Sequence, residues 1–335
     1  MKSFLILFVF YLPAVFAQSI FPYEKDFENK SDKDFMDVEF YDSINNAMIR
    51  GTLIIPKKEF NKVVIIIPGS GKDTRYSHFD LAENLVDNGI AVYRFDELGV
   101  GQSEGKYSSS VKSLITSTKY ALHRLKDLDI TKNKKIGLLG HSLGGMATIK
   151  VYNDYPNKID FLIQFATPIK DIASEFVWRA RNGKEKAFVV YKKSPEETAN
   201  LLTKIYEYYK NTDENDYLII RENAMKIALE NGFERKYTNK LLSIQFQEFM
   251  KYDLLNLYKS VNIPTLYIIS KTDDIINPIE NLRLLKEIDN SNIITVESNG
   301  LGHYLSAKKT VKNQSIYYME NESKKHILDF IKNIK

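Results

Sequence analysis

The chain has 335 residues, 44% of them hydrophobic and 27% charged, which excludes a disordered or low-complexity polymer and suits one large domain or two small ones. Its 47 basic and 43 acidic residues leave a net charge of +4 with no basic stripe and no basic–aromatic alternation, so nucleic acid is not expected as a partner. There is no cysteine, which excludes disulfides and a lipid-modified cysteine.

The opening stretch "MKSFLILFVFYLPAVFA" combines one lysine, an apolar run from Phe4 to Phe16 and the small residue Ala17, with Val15 two before it. That is the layout of a signal peptide cleaved after Ala17, and the run is shorter than the ~20 residues of a spanning helix. The sequence thus predicts removal of residues 1–17, export to the periplasm or the medium, and no stable membrane anchor. In the N-terminal segment 18–60, "FMDVEF" and "MIRGTLIIP" read as a hairpin around "DSINNA".

"KVVIIIPGSG" is apolar and β-branched from Val63 to Ile67, as a strand buried on both faces requires. The same pattern returns in "IAVYRFD", "KIGLLG", "FLIQFA", "PTLYIIS" and "NIITVES". Between them Val111, Leu114, Ile115, Thr118, Leu122, Leu125 and Leu128 fall at helical spacing. Alternation of this kind predicts an α/β fold with a mostly parallel, doubly wound sheet. Residues 61–170 and 258–335 form its core. From 171 to 257 no buried strand appears, and the segment reads as an inserted helical cap. One helix there opens at "SPEE" with Ser194 as cap and Glu197 three residues on, and another closes at Asn231–Gly232. The cap aromatics Phe188, Tyr191, Tyr206, Tyr208, Tyr209 and Phe246 either line a substrate cleft or bury the cap on the sheet; for most of them burial is the simpler account.

In "KIGLLGHSLGGMATI" the residues from Gly140 to Gly144 match G-x-S-x-G between a buried strand and a helix. A turn that tight strains the serine and leaves no room for side chains two residues either way, which explains Gly140, Gly144 and Gly145 around Ser142. A nucleophilic serine needs a base, and the base an orienting acid, in the chain order serine, acid, histidine. Of the five histidines only His303 and His326 follow the candidate acids. His326 sits in an amphipathic terminal helix as a surface residue, whereas His303 sits in the loop "SNGLGHYL" after a strand, so His303 is the base. The acid is one of Asp273 and Asp274 in "SKTDDIIN". All three loops follow strands, where open α/β sheets build their sites.

"IIPGSG", "LAENLVDNGIAVYRFDELGVGQSEG", "KIGLLGHSLGG", "PTLYIISKTDDIINPIENL" and "GLGHYL" together resemble the α/β-hydrolase superfamily, in particular its exported bacterial serine esterase and peptidase-like branch. The resemblance implies the α/β-hydrolase fold with an inserted helical cap, Ser142 as nucleophile, His303 as base, Asp273 as acid, and the backbone amides of Leu143 and Ser70 as oxyanion donors. Two positions depart from the family pattern. Leu98 replaces the arginine of "D-x-R-G-x-G-x-S", and Lys72 replaces the proline after glycine-serine-glycine. Asp96 reads as a brace for that turn, and "GVGQSEG" lacks the lysine and helix of a phosphate loop.

No histidine pair has metal-ligand spacing, and neither a metal nor an organic cofactor is expected. The predicted function is hydrolysis of carboxylic esters, of small or short-chain substrates, through an acyl-enzyme. The alternative is a serine peptidase on short peptides, in which a cap carboxylate, Glu175, Glu185 or Glu196, holds the free amine. A non-catalytic binding protein on the same fold is the third reading, disfavoured because all three triad residues are present. The expected partner is thus a small ester or short peptide, and the sequence leaves the oligomeric state open.

Overall fold

The computed structural model describes residues 21–184, 193–235, 252–308 and 316–335. The expected signal peptide, and Glu185, Phe188, Tyr191 and Phe246 of the insertion, lie outside the described residues. Among the described residues, strands β1 (Lys33–Asp42), β2 (Ala47–Pro56), β3 (Lys62–Ile67), β4 (Ala91–Phe95), β5 (Lys135–His141), β6 (Phe161–Phe165), β7 (Thr265–Ser270) and β8 (Ile293–Ser298) form one sheet, in the order β1-β2-β4-β3-β5-β6-β7-β8. β1 and β2 are the predicted hairpin, and β2 also runs antiparallel to β4; all other pairs are parallel. At the hairpin turn the Asp42 carboxylate accepts the N–H groups of Ile44 and Asn45, both at 3.0 Å, and Asn46 takes a left-handed conformation.

Val63 to Ile67 of β3 are buried throughout, as is every residue of β4, β6 and β7. Each such Val or Ile contributes about 1.5–3 kcal/mol through its removal from water. Helices cover the sheet: α1 (Phe79–Asp87), α2 (Val111–Asp127), α3 (Leu143–Asp154), α8 (Pro278–Ile288) and α9 (Asn321–Lys332). α2 turns Val111, Leu114, Thr118, Leu122 and Leu125 inward, the stripe its spacing predicts. One strand departs from expectation. "NIITVES" suggested burial on both faces, but β8 ends the sheet: Ile293 and Val296 are only half-buried, and Ile294 is 55% exposed. β-branched residues favour a strand at the edge as much as at the centre, so the pattern alone does not separate the two.

Between β6 and β7 the chain makes a helical insertion, α4 (Ile172–Arg181), α5 (Pro195–Asn211) and α6 (Tyr217–Glu230), before α7 (Leu254–Lys259) returns to the sheet. Ser194 starts α5 with a reciprocal cap: its hydroxyl accepts the Glu197 N–H at 3.2 Å, and the Glu197 carboxylate accepts the Ser194 N–H at 2.8 Å. α6 stops at Asn231 and Gly232, where φ is 74°. Tyr206 and Tyr209 on α5 are buried. In α7 the buried Tyr258 donates to the Gln164 side chain of β6 at 3.2 Å, which ties this helix to the sheet. Among the described residues no helix is long and apolar enough to cross a membrane.

Candidate active site

β5 ends at His141 and α3 begins at Leu143, so Ser142 alone makes the turn. Its φ of 54° and ψ of −115° are strained for a residue with a side chain. The surroundings hold it there. Its N–H donates to the Phe165 carbonyl of β6 at 2.8 Å. A Cβ on Gly140 would come within 2.5 Å of the Gly144 carbonyl oxygen, and one on Gly144 would strike the carbonyls of Ile67 and Pro68. Strand, turn and helix thus pack backbone on backbone, and the glycine spacing of the sequence has this close approach as its cause.

The loop after β3 lies against this turn, since a Cβ on Gly69 would sit 3.6 Å from the Cβ of Ser142. Ser70 follows and is exposed. Its carbonyl accepts from Tyr107 at 3.0 Å and Ser109 at 2.9 Å, and the Gly71 carbonyl accepts from Tyr107 at 2.6 Å. The loop is thereby anchored beside Ser142. Leu143 opens α3, where the first backbone N–H groups of a helix have no intrahelical partner and carry partial positive charge.

Asp273 and His303 come together from the loops after β7 and β8. His303 Nδ1 donates to Asp273 Oδ2 at 2.9 Å, while Asp273 Oδ1 accepts the N–H groups of Ile275 and Ile276 at 2.8 and 2.9 Å. Asp273 is buried, and its neighbour Asp274 is exposed. With Nδ1 engaged, the basic nitrogen of His303 is Nε2. The His303 carbonyl in turn accepts from His141 Nε2 at 3.2 Å, which ties this loop to the residue preceding Ser142. His326 is on the surface of α9, 44% exposed, 3.9 Å from Glu322.

Asp96 is the brace that the sequence suggested. Its carboxylate accepts the Arg75 N–H and guanidinium, both at 2.8 Å, and the Gln102 N–H at 3.0 Å. Leu98, where the family pattern has arginine, packs in the core, and the cation beside Asp96 is Arg75 instead. Glu175 is buried and accepts the Asn277 N–H at 2.6 Å and the Asn281 amide at 2.7 Å; burial pushes its carboxyl up to about 7. Glu196 pairs with Arg181 at the surface. A cavity of ≈ 400 Å³ opens between α4, α5 and Asn277, lined by Val177, Trp178 and Tyr206 together with Arg181 and Lys210. Among the described residues no three His, Cys, Asp or Glu side chains are grouped to hold a metal ion. Sequence reasoning missed Tyr107, Ser109 and the buried His78 and His141; only the last carried a signal, its place inside G-x-S-x-G.

Comparison with known proteins agrees with this architecture. A family model described as serine aminopeptidase, S33 (Hydrolase_4) matches residues 58–307. Protein phosphatase methylesterase 1 of Candida albicans is 24% identical over 135 residues, 40% of this chain, and the match spans 36% of that protein's length. Among solved structures, the Pyrococcus furiosus esterase Pf2001 superposes with a TM-score of 0.57 at 19% identity, over 90% of this chain and 91% of that one. Est1E from Butyrivibrio proteoclasticus, with ferulic acid bound, gives 0.54 at 18% identity, over 88% and 98%. The two structures share the α/β-hydrolase fold with this protein, and because the family model spans well over half of the sequence, the chain belongs to the Hydrolase_4 (serine aminopeptidase, S33) family of α/β-hydrolases.

Proposed function

We propose that the protein is a serine carboxylesterase acting on small or short-chain esters. Ser142 Oγ attacks the ester carbonyl carbon while His303 Nε2 takes the hydroxyl proton, and the N–H groups of Leu143 and Ser70 receive the negative oxygen of the tetrahedral intermediate. Collapse breaks the bond to the alkoxide, which leaves with the proton from His303. Water, deprotonated by the same nitrogen, then attacks the acyl-enzyme, and the carboxylic acid departs with the proton returned to Ser142. Asp273 keeps the His303 proton on Nδ1 and stabilises the imidazolium. The observation that carries this reading is the 2.9 Å bond between His303 Nδ1 and the buried Asp273.

Two of these similar proteins, the methylesterase and Pf2001, are esterases by name, which supports an ester over an amide. The family's description favours a peptidase acting on short peptides as the second reading. Of the three carboxylates the peptidase reading offers to a free amine, Glu175 is already bonded to Asn277 and Asn281 and Glu196 to Arg181, while Glu185 lies outside the described residues. Chromogenic esters of graded acyl length, assayed beside aminoacyl amides, test the proposal. Short esters should be turned over fastest, and Ser142→Ala should lose that activity by several orders of magnitude while staying folded. Faster cleavage of the amides overturns the substrate class, and an active Ser142→Ala overturns the mechanism.

We also propose that the protein is exported, on the pattern of residues 1–17. N-terminal sequencing of the native protein should then begin at Gln18; retention of Met1 to Ala17 contradicts it.

A further inference from the structure

His141 and His78 are buried side by side, and neither has a part in the chemistry above. His78 precedes α1 and His141 ends β5. Their ring nitrogens form a chain of contacts: His78 Nδ1 lies 3.2 Å from Ser77 Oγ, His78 Nε2 lies 3.3 Å from His141 Nδ1, and His141 Nε2 lies 3.2 Å from the His303 carbonyl oxygen.

The ends of the chain decide where its hydrogens are. A carbonyl oxygen only accepts, so His141 Nε2 carries hydrogen. Burial, with the charge of Arg94, brings His78 down to about 3, and burial beside His303 and His78 holds His141 well below the usual histidine range, so both rings are neutral. A neutral imidazole has one N–H. His141 Nδ1 is therefore an acceptor, His78 Nε2 must donate to it, and His78 Nδ1 accepts from the Ser77 hydroxyl. Any other arrangement of neutral rings sets two lone pairs or two hydrogens face to face.

The His141 ring is also buried among other rings. It stacks on Phe165 at 4.3 Å between centroids, and the rings of His303 and Tyr304 each lie 4.8 Å away. A Cβ on Gly69 would lie 3.5 Å from its Nδ1, so the loop carrying Ser70 rests against it. Tyr317 packs on His78 at 4.3 Å and donates to Asp73, while Arg94 holds the Ser77 carbonyl at 2.9 Å. The titratable and charged groups facing the pair are thus His303, Tyr304, Tyr317 and Arg94, with Asp73 behind Tyr317.

We infer that His141, oriented by His78, is a positioning residue of the hydrolytic site: its Nε2–H fixes the backbone of His303, and with it the base, against the strand that delivers Ser142. The inference rests on the roles proposed above for Ser142 and His303. It specifies a directed set of donors, Ser77 to His78 to His141 to His303, that simple space-filling does not require.

Ring-nitrogen NMR of the full protein labelled with nitrogen-15 histidine, from about pH 5 to about pH 8, reads this directly. Both His78 and His141 should show the Nε2–H tautomer and should not titrate. In kinetics, His141→Phe keeps a ring against Phe165 but removes the donor, and should lower kcat about 10–100-fold with little change in KM. His141→Gln, which retains an N–H donor and an oxygen acceptor, should recover much of the loss. An Nδ1–H tautomer or a titration in that range for either ring overturns the inference, as does wild-type kcat in His141→Phe. Should His141→Phe not fold, the wild-type spectrum alone decides. If the tautomers are as stated but the wild type neither hydrolyses esters or amides nor is labelled at Ser142, the hydrolase reading fails, and the positioning role with it.

Discussion

Asp273 and Asp274 are adjacent in the chain and end in opposite environments. Asp273 is buried with both oxygens engaged, one on His303 and one on two backbone amides, whereas Asp274 faces solvent. Asparagine at 273 would keep the size but could present its amide to His303 Nδ1, forcing the imidazole into the wrong tautomer. We predict that Asp273→Asn lowers kcat by about 10³–10⁴-fold and that Asp274→Asn changes it little, measured as steady-state ester hydrolysis. The reverse order would mean that the loop is held by the other carboxylate. At this scale the proposed nucleophile and base stand out in the sequence because glycines and chain order mark them. The choice between two neighbouring aspartates depends on which side of a turn each faces; two adjacent residues of one type carry no such signal themselves, and only the family resemblance points to Asp273. His78 is less legible still, since its partner His141 is 63 positions away in the chain and only the packing of α1 on the sheet brings them together.

Elements bounded by specific side chains are the most readable. α5 begins at Ser194 because Ser194 and Glu197 satisfy each other's backbone groups, and α6 ends at Gly232 because a left-handed residue closes it without strain. Ser194→Ala should therefore destabilise α5 by about 1 kcal/mol, seen as faster amide exchange along Leu201 to Tyr209. Unchanged exchange would show that packing of Leu201, Leu202 and Ile205 alone holds the helix. β8 was misread for a physical reason: its Ile293, Ile294 and Val296 suit any strand, and nothing local tells whether another strand lies beyond. Glu175 is one of three carboxylates that the sequence offers to the peptidase alternative, and nothing local tells that it is buried. In the fold it lies beneath the start of α8, joining the insertion to the core through Asn277 and Asn281.

For the whole molecule, that buried carboxyl makes stability depend on pH. Burial raises Glu175 from its ordinary 4.5 to about 7, and Asp73, also raised chiefly by burial, to about 7. The folded state thus binds protons that the unfolded chain has released. The associated stability is fully present below the unfolded carboxyl range and is lost as pH rises through about 7, on the order of 3 kcal/mol for Glu175. Urea unfolding should give a higher midpoint near pH 5.5 than near pH 8.5, with Glu175→Gln flattening part of that slope; a midpoint that climbs over this range contradicts it. The central claim is that Ser142, on its strained turn, is a nucleophile activated by His303 and Asp273. Its most direct test is mass spectrometry of the protein treated with a fluorophosphonate. The account predicts one covalent adduct, on Ser142, that forms far more slowly in Asp273→Asn and is absent from Ser142→Ala. A wild-type protein that stays unmodified, or one modified at another residue, contradicts it.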